Sequence, residues 1–147
     1  MTEVWFYHLE RTSLEQALPE LLEKVLARGW KGLVRTREPA RLEALDQLLW
    51  TWRDDSFLPH GLASEPHAPR QPVLLTTELE NPNEAEALLL VDGAEPGDLA
   101  GYARVMVLFD GADEAALATA RAQWSALKAS GADLSYWRQK GRGWEKQ

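Results

Sequence analysis

The sequence predicts an α/β fold, with a largely parallel central sheet flanked by helices, on three observations. Two continuous apolar runs of strand length, ALLLVDG and ARVMVLFDG, each end at Asp-Gly, as strands buried on both faces of a sheet do. Segments of helical spacing alternate with short β-rich runs, which favours parallel strands joined by crossover helices. The chain has 147 residues, so residues 1–147 fit one ordinary domain, able to bury about 70% of its unfolded surface.

The elements follow in order. Val4, Phe6 and Tyr7 make EVWFYHL the first strand, and Ser13 with Gln16 forms a capping-box pattern opening a helix. Leu18, Leu21, Leu22, Val25 and Leu26 carry that helix to a stop at Gly29, with Pro19 either in its first turn or at a kink. KGLVRT is the next strand. Pro39 opens a second helix, whose stripe of Leu42, Leu45, Leu48 and Leu49 runs into Trp50. GLASEPHAPRQP has three prolines and no periodicity, so it reads as an irregular connection leading into the strand VLLTT. After ALLLVDG and ARVMVLFDG, Asp113 opens a long helix with Leu117, Ala120, Trp124 and Leu127 on one stripe, ended by Gly131. LSYWRQ closes the series as a short strand. No internal repeat or low-complexity tract is visible.

Composition narrows the function. With 45% hydrophobic and 27% charged residues the chain has a globular balance, and no apolar run approaches the roughly 20 residues that span a bilayer. MTEVWFYHLERT lacks the basic and long apolar regions of a signal peptide, so the expected location is cytoplasmic, without membrane contact. There are no cysteines, which removes disulfides, thiolate zinc sites and cysteine nucleophiles together. A net charge of -7 disfavours direct nucleic-acid binding. The charge is uneven, however. Residues 71–103 hold no Lys or Arg, whereas Arg121, Lys128, Arg138, Lys140, Arg142 and Lys146 dominate the C-terminal part against Asp133 and Glu145. A basic end on an acidic protein suits an acidic partner, and equally a solvated surface with none.

Folds of this class often bind nucleotides, yet neither the dinucleotide glycine fingerprint nor the P-loop is present. The turn HLERTS after the first strand has no glycine to let amides close on a phosphate. The expectation is a nucleotide-binding-like topology without a nucleotide site and without any cofactor. Asp54, Asp55, Ser56 and His60 hold the ingredients of a small hydrolase using His60 with Asp54 or Asp55, but Ser56 lacks the glycine-flanked elbow that exposes such a nucleophile. His8, His60 and His67 lack ligand-pair spacing, so no metal is expected. The aromatics of WTWRDDSFLPHG remain. They fit an interaction surface presenting Trp50, Phe57 and Leu58 beside the stiffening Pro59, and they fit a cap on the domain's own core.

LDQLLWTWRDDSFLPHG, followed by PVLLT, a strand ending LFDG and the segment ARAQW, resembles the chi subunit of bacterial DNA polymerase III over nearly the whole chain. The resemblance implies a non-catalytic adaptor that forms a heterodimer with the psi subunit of the clamp-loader complex. It also implies binding of the acidic C-terminal tail of the single-stranded DNA-binding protein, tying the polymerase to coated template. Trp50, Phe57, Leu58, Pro59 and His60 match the block that contributes to the psi-facing surface. Arg121 and Trp124 match the tail-binding pattern, with Lys128 one turn further on. Two positions depart from that pattern: Ser125 stands where a second basic residue is expected, and Leu117 where a lysine is. Arg138, Lys140 and Arg142 are the candidate substitutes, with Trp137, Gln139 and Trp144 as further lining.

Overall fold

A computed structural model of the chain describes residues 2–10, 12–51, 60–62, 68–140 and 143–147. Its strands are β1 (Glu3–Leu9), β2 (Gly32–Arg35), β3 (His60–Leu62), β4 (Val73–Thr76), β5 (Ala87–Leu90), β6 (Arg104–Asp110), β7 (Asp133–Lys140) and β8 (Gly143–Lys146). The helices are α1 (Leu14–Ala27), α2 (Pro39–Thr51) and α3 (Glu114–Ala129). One eight-stranded sheet runs in the order β3-β4-β2-β5-β6-β1-β7-β8. Every pairing is parallel except that of β7 with β8. The expected α/β class and largely parallel sheet are therefore what the chain adopts.

The strands alternate their side chains between two apolar layers, as a period of two requires. Tyr7, Val34, Val73, Leu75, Leu89, Met106 and Leu108 face α1 and α2, meeting Leu18, Leu22, Leu45 and Leu49. Val4, Phe6, Leu33, Leu74, Leu88, Val105 and Val107 face the other way, where Ala120 and Trp124 of α3 and the segment around Ala94 and Tyr102 cover them. Arg35 is only 2% exposed on this second side. Its guanidinium donates to the carbonyls of Glu78 (2.7 Å), Pro96 (3.0 Å) and Glu95 (3.1 Å), which fastens the long β4–β5 and β5–β6 connections onto the sheet.

Local chemistry sets the helix ends. Gln16 Oε1 accepts from the Ser13 amide at 3.3 Å at the start of α1, and Asp113 Oδ1 accepts from the amides of Ala115 (3.0 Å) and Ala116 (3.3 Å) at the start of α3. Both α1 and α3 end in a Schellman motif. Gly29 and Gly131 take φ of 81° and 85°, and the amides of Trp30 and Ala132 reach back to the carbonyls of Val25 and Leu127. Pro19 lies inside α1, in its second turn, and the helix continues past it.

Two local expectations need correction. Residues 61–72 are not wholly irregular: His60–Leu62 pairs with β4 as an edge strand, and Ala68–Arg70 forms a 3-10 turn. Three residues are too few to show a period, and Gly61 is seated where a Cβ would lie 2.9 Å from Gln71. β8 has no counterpart among the predicted elements, because its glycine-broken sequence carries no strand alternation.

Candidate protein-binding sites

The pairing of β1 with β7 sets Phe6 opposite Tyr136 and His8 opposite Arg138. These four side chains line the floor of a cavity of about 640 Å3 whose wall is α3, contributing Leu117, Arg121, Trp124 and Ser125. Trp124 is half-buried and meets two rings edge-on: Phe6 at 5.2 Å between centroids and 71°, and Tyr136 at 5.9 Å and 77°. Arg121 is exposed at the rim three residues earlier. An aromatic floor with Arg121 and Arg138 in the same lining offers an apolar slot and cationic groups for a carboxylate, Arg138 being paired with Glu10. The structure thus brings Arg121, Trp124 and Arg138 to one place. Lys128 lies on the same helix but outside the cavity lining, in the last turn of α3.

A polar chain runs across one end of this cavity. Nδ1 of His8 shares a hydrogen bond with the Tyr136 hydroxyl, His8 Nε2 lies 3.4 Å from Glu10 Oε1, and Glu10 pairs with Arg138. Burial lowers the His8 pKa below its ordinary value, with Glu10 and Asp110 opposing that shift and Arg138 adding to it. Burial raises the Tyr136 pKa, moderated by Arg138 and Arg121. His8 and Tyr136 were not among the predicted site residues. Their signal was the period of two in VWFYHL and LSYWRQ, which puts Phe6, His8, Tyr136 and Arg138 on one sheet face once β1 and β7 are neighbours.

The second predicted site lies at the end of α2. Trp50 is 52% exposed and, with Leu79, is one of two large apolar side chains left in solvent among the described residues. Its indole rests on the His60 ring at 4.8 Å and 57°. His60 itself is buried, with Nε2 3.0 Å from Asp46 Oδ1. Asp46, His60 and Trp50 form a stack from helix to edge strand to surface, in which His60 supports the exposed ring. Phe57, Leu58 and Pro59, like Asp54, Asp55 and Ser56, lie outside the described residues.

A third concavity, about 460 Å3, lies at the carboxyl ends of β1 and β6, between the amino ends of α1 and α3. Chain connections leave β1 and β6 in opposite directions across the sheet, so this is the switch point where such folds place ligands. Here Glu15, Asp92, Asp110 and Asp113 face Arg37 and Arg41, and Arg41 is already paired with Asp92 at 3.0 Å and Glu15 at 3.3 Å. An acid-rich lining is unfavourable for a phosphate. Among the described residues, no group of His, Asp or Glu side chains is placed to hold a metal, and no helix is long and apolar enough to cross a membrane.

These features define a class: an α/β domain with a mostly parallel sheet and aromatic, cation-flanked surface cavities. Within it the chain belongs to the DNA polymerase III chi-subunit family, a family of replication accessory subunits, since the family model described as DNA polymerase III chi subunit, HolC matches residues 1–135. It is 31% identical over 105 residues to the probable DNA polymerase III subunit chi of Rickettsia prowazekii, a match covering 71% of this chain and 62% of that protein. It is 29% identical over 111 residues to DNA polymerase III subunit chi of Pseudomonas aeruginosa, covering 74% of this chain and 77% of that one. The chain thus spans less than two thirds of the Rickettsia relative.

Proposed function

We propose that this chain is a non-catalytic replication adaptor with two separate protein-binding surfaces. One is the α3–β7 cavity, which takes the acidic C-terminal tail of the single-stranded DNA-binding protein. The other is the Trp50 face, which takes the psi subunit of the clamp-loader complex. The observation that carries the first is the meeting of Arg121, Trp124 and Arg138 around one slot. A peptide ending in an aromatic residue and a free carboxylate needs an apolar slot for the ring and a fixed cation for the carboxylate.

Arg138 supports this reading further, because it supplies from β7 the second cation that the family pattern would take from position 125 of α3. The Trp50 face is supported by the exposure of a ring held in place by His60 and Asp46. The two surfaces are carried by different layers, α3 on one side of the sheet and α2 on the other, so each partner binds without covering the other's site. Calorimetric titration with the tail peptide tests the cavity. Binding that is lost in both Arg121→Ala and Arg138→Ala supports the assignment; binding that survives in both removes the tail from this cavity.

A further inference from the structure

The sheet face opposite the α3 cavity carries a second aromatic concavity, of about 540 Å3, which Trp137 and Trp144 line in place of the tail cavity where they were expected, and to which neither proposed partner is assigned. It collects four of the chain's seven tryptophans, Trp5, Trp30, Trp137 and Trp144, between α1 and the β1–β7–β8 edge. Its lining contains Lys24, Arg28 and Arg104 and, among the described residues, no carboxylate, in a chain whose net charge is -7.

The rings and guanidiniums stack alternately. Arg28 lies 4.2 Å from the Trp30 centroid, Arg104 lies 5.4 Å from Trp30 and 3.6 Å from Trp5, and Trp5 stacks on Trp137 at 4.8 Å. Arg104 is under-paired for its burial. Its side chain is only 12% exposed, its one carboxylate contact is Glu3 at 3.5 Å, and its Nε has no hydrogen-bond partner among the described residues. The part of the Arg104 side chain that reaches the cavity is a cation already stripped of most of its water, with a single carboxylate contact at 3.5 Å, and an incoming carboxylate adds a partner to it.

We infer that this groove is a docking site for an acidic internal segment of a partner protein, with a bulky apolar side chain entering among the tryptophans and flanking carboxylates meeting Arg104, Arg28 and Lys24. The stacking decides between a peptide and single-stranded nucleic acid. Base binding needs open ring faces and a track of cations along a backbone. Here Trp5 already lies between Arg104 and Trp137, and Trp30 is covered by Arg28. The cavity that remains is lined by these rings together with Lys24, Arg28 and Arg104. Lys24, in the last turn of α1, and Arg28, its C-cap, are four residues apart and both exposed, so they reach carboxylates near the apolar anchor rather than far along a strand.

The test uses the intact chain and the peptide acetyl-Asp-Asp-Phe-Asp-Asp-amide, whose blocked end withholds the terminal carboxylate proposed for the α3 cavity. Indole N–H resonances are followed by NMR during titration. Saturable shifts of the Trp30, Trp137 and Trp144 signals are expected, with affinity about tenfold weaker in the exposed-site variant Arg28→Glu and unchanged in Arg121→Ala. Loss of the shifts when Phe is replaced by Ser in the peptide is expected as well. The inference is overturned if no signal saturates by about 1 mM peptide, if Arg121→Ala abolishes the shifts, or if oligothymidylate moves the same signals more tightly than the peptide. Because Arg28 is the exposed C-cap of α1, a folded spectrum of Arg28→Glu is expected, and Arg28→Gln provides the charge-neutral check.

Discussion

Trp124 is the residue at which packing and binding can be separated most cleanly. Trp124→Ala removes two edge-on aromatic contacts, to Phe6 at 5.2 Å and to Tyr136 at 5.9 Å, each worth about 0.5–1.5 kcal/mol beyond area burial. The indole is half-buried, so the lost transfer and cavity terms are smaller than the 3–5 kcal/mol range for a fully buried Trp, and the total comes to about 2–4 kcal/mol. For a chain of this size that corresponds to a fall in Tm of about 5–15 °C. Urea unfolding followed by far-ultraviolet circular dichroism measures the loss, with thermal melts alongside. Trp124→Phe keeps a ring against Phe6 and is expected to lose less than half as much, while both variants bind the tail peptide more weakly than the parent chain. A Trp124→Ala variant as stable as the parent would refute the packing of Trp124 against β1 and β7.

Other consequences follow from the same geometry. Arg35→Met leaves the carbonyls of Glu78, Glu95 and Pro96 without their donor and is expected to cost about 3 kcal/mol; an unchanged urea midpoint would contradict the fastening role of that guanidinium. His8 has a folded pKa depressed below 6.5 by burial, so above 6.5 both states are neutral, and as pH falls below it the unfolded chain takes the proton first. Stability is therefore lost on acidification from just below 6.5 until the folded form also protonates, and this step should be absent in His8→Leu when urea midpoints are compared across that range. Gly131→Ala places a side chain at φ 85° with no atom within 4 Å of its Cβ, so only backbone strain acts, about 1 kcal/mol, read from the same unfolding curves.

Strong local signals made most of the fold legible. The Asp-Gly ends of β5 and β6, the glycine stops of α1 and α3, the Pro39 start and the Asp113 cap all act within a few residues, so the sequence displays them directly. β3 and β8 were not legible because their existence depends on a neighbour: His60–Leu62 is a strand only against β4, and Gly143–Lys146 only against β7. The candidate sites divide in the same way. Arg121 and Trp124 share one helix face, and their spacing alone brings them together. His8, Tyr136 and Arg138 join them through the β1–β7 register, which strand order decides and no short motif reveals. The buried position of His60 was hidden likewise, since Asp46 and Trp50 enclose it from a different element.

The central claim is that one small domain carries two independent protein surfaces, and a reciprocal pair of variants tests it most directly. Binding of psi and of the free-carboxylate tail peptide would each be titrated against Trp50→Ala and Arg121→Ala. Trp50→Ala, at a position whose ring is 52% exposed, is expected to stay folded, to lose psi and to bind the tail normally, while Arg121→Ala is expected to do the reverse. Loss of both partners in either folded variant, or of neither partner in both, would contradict it.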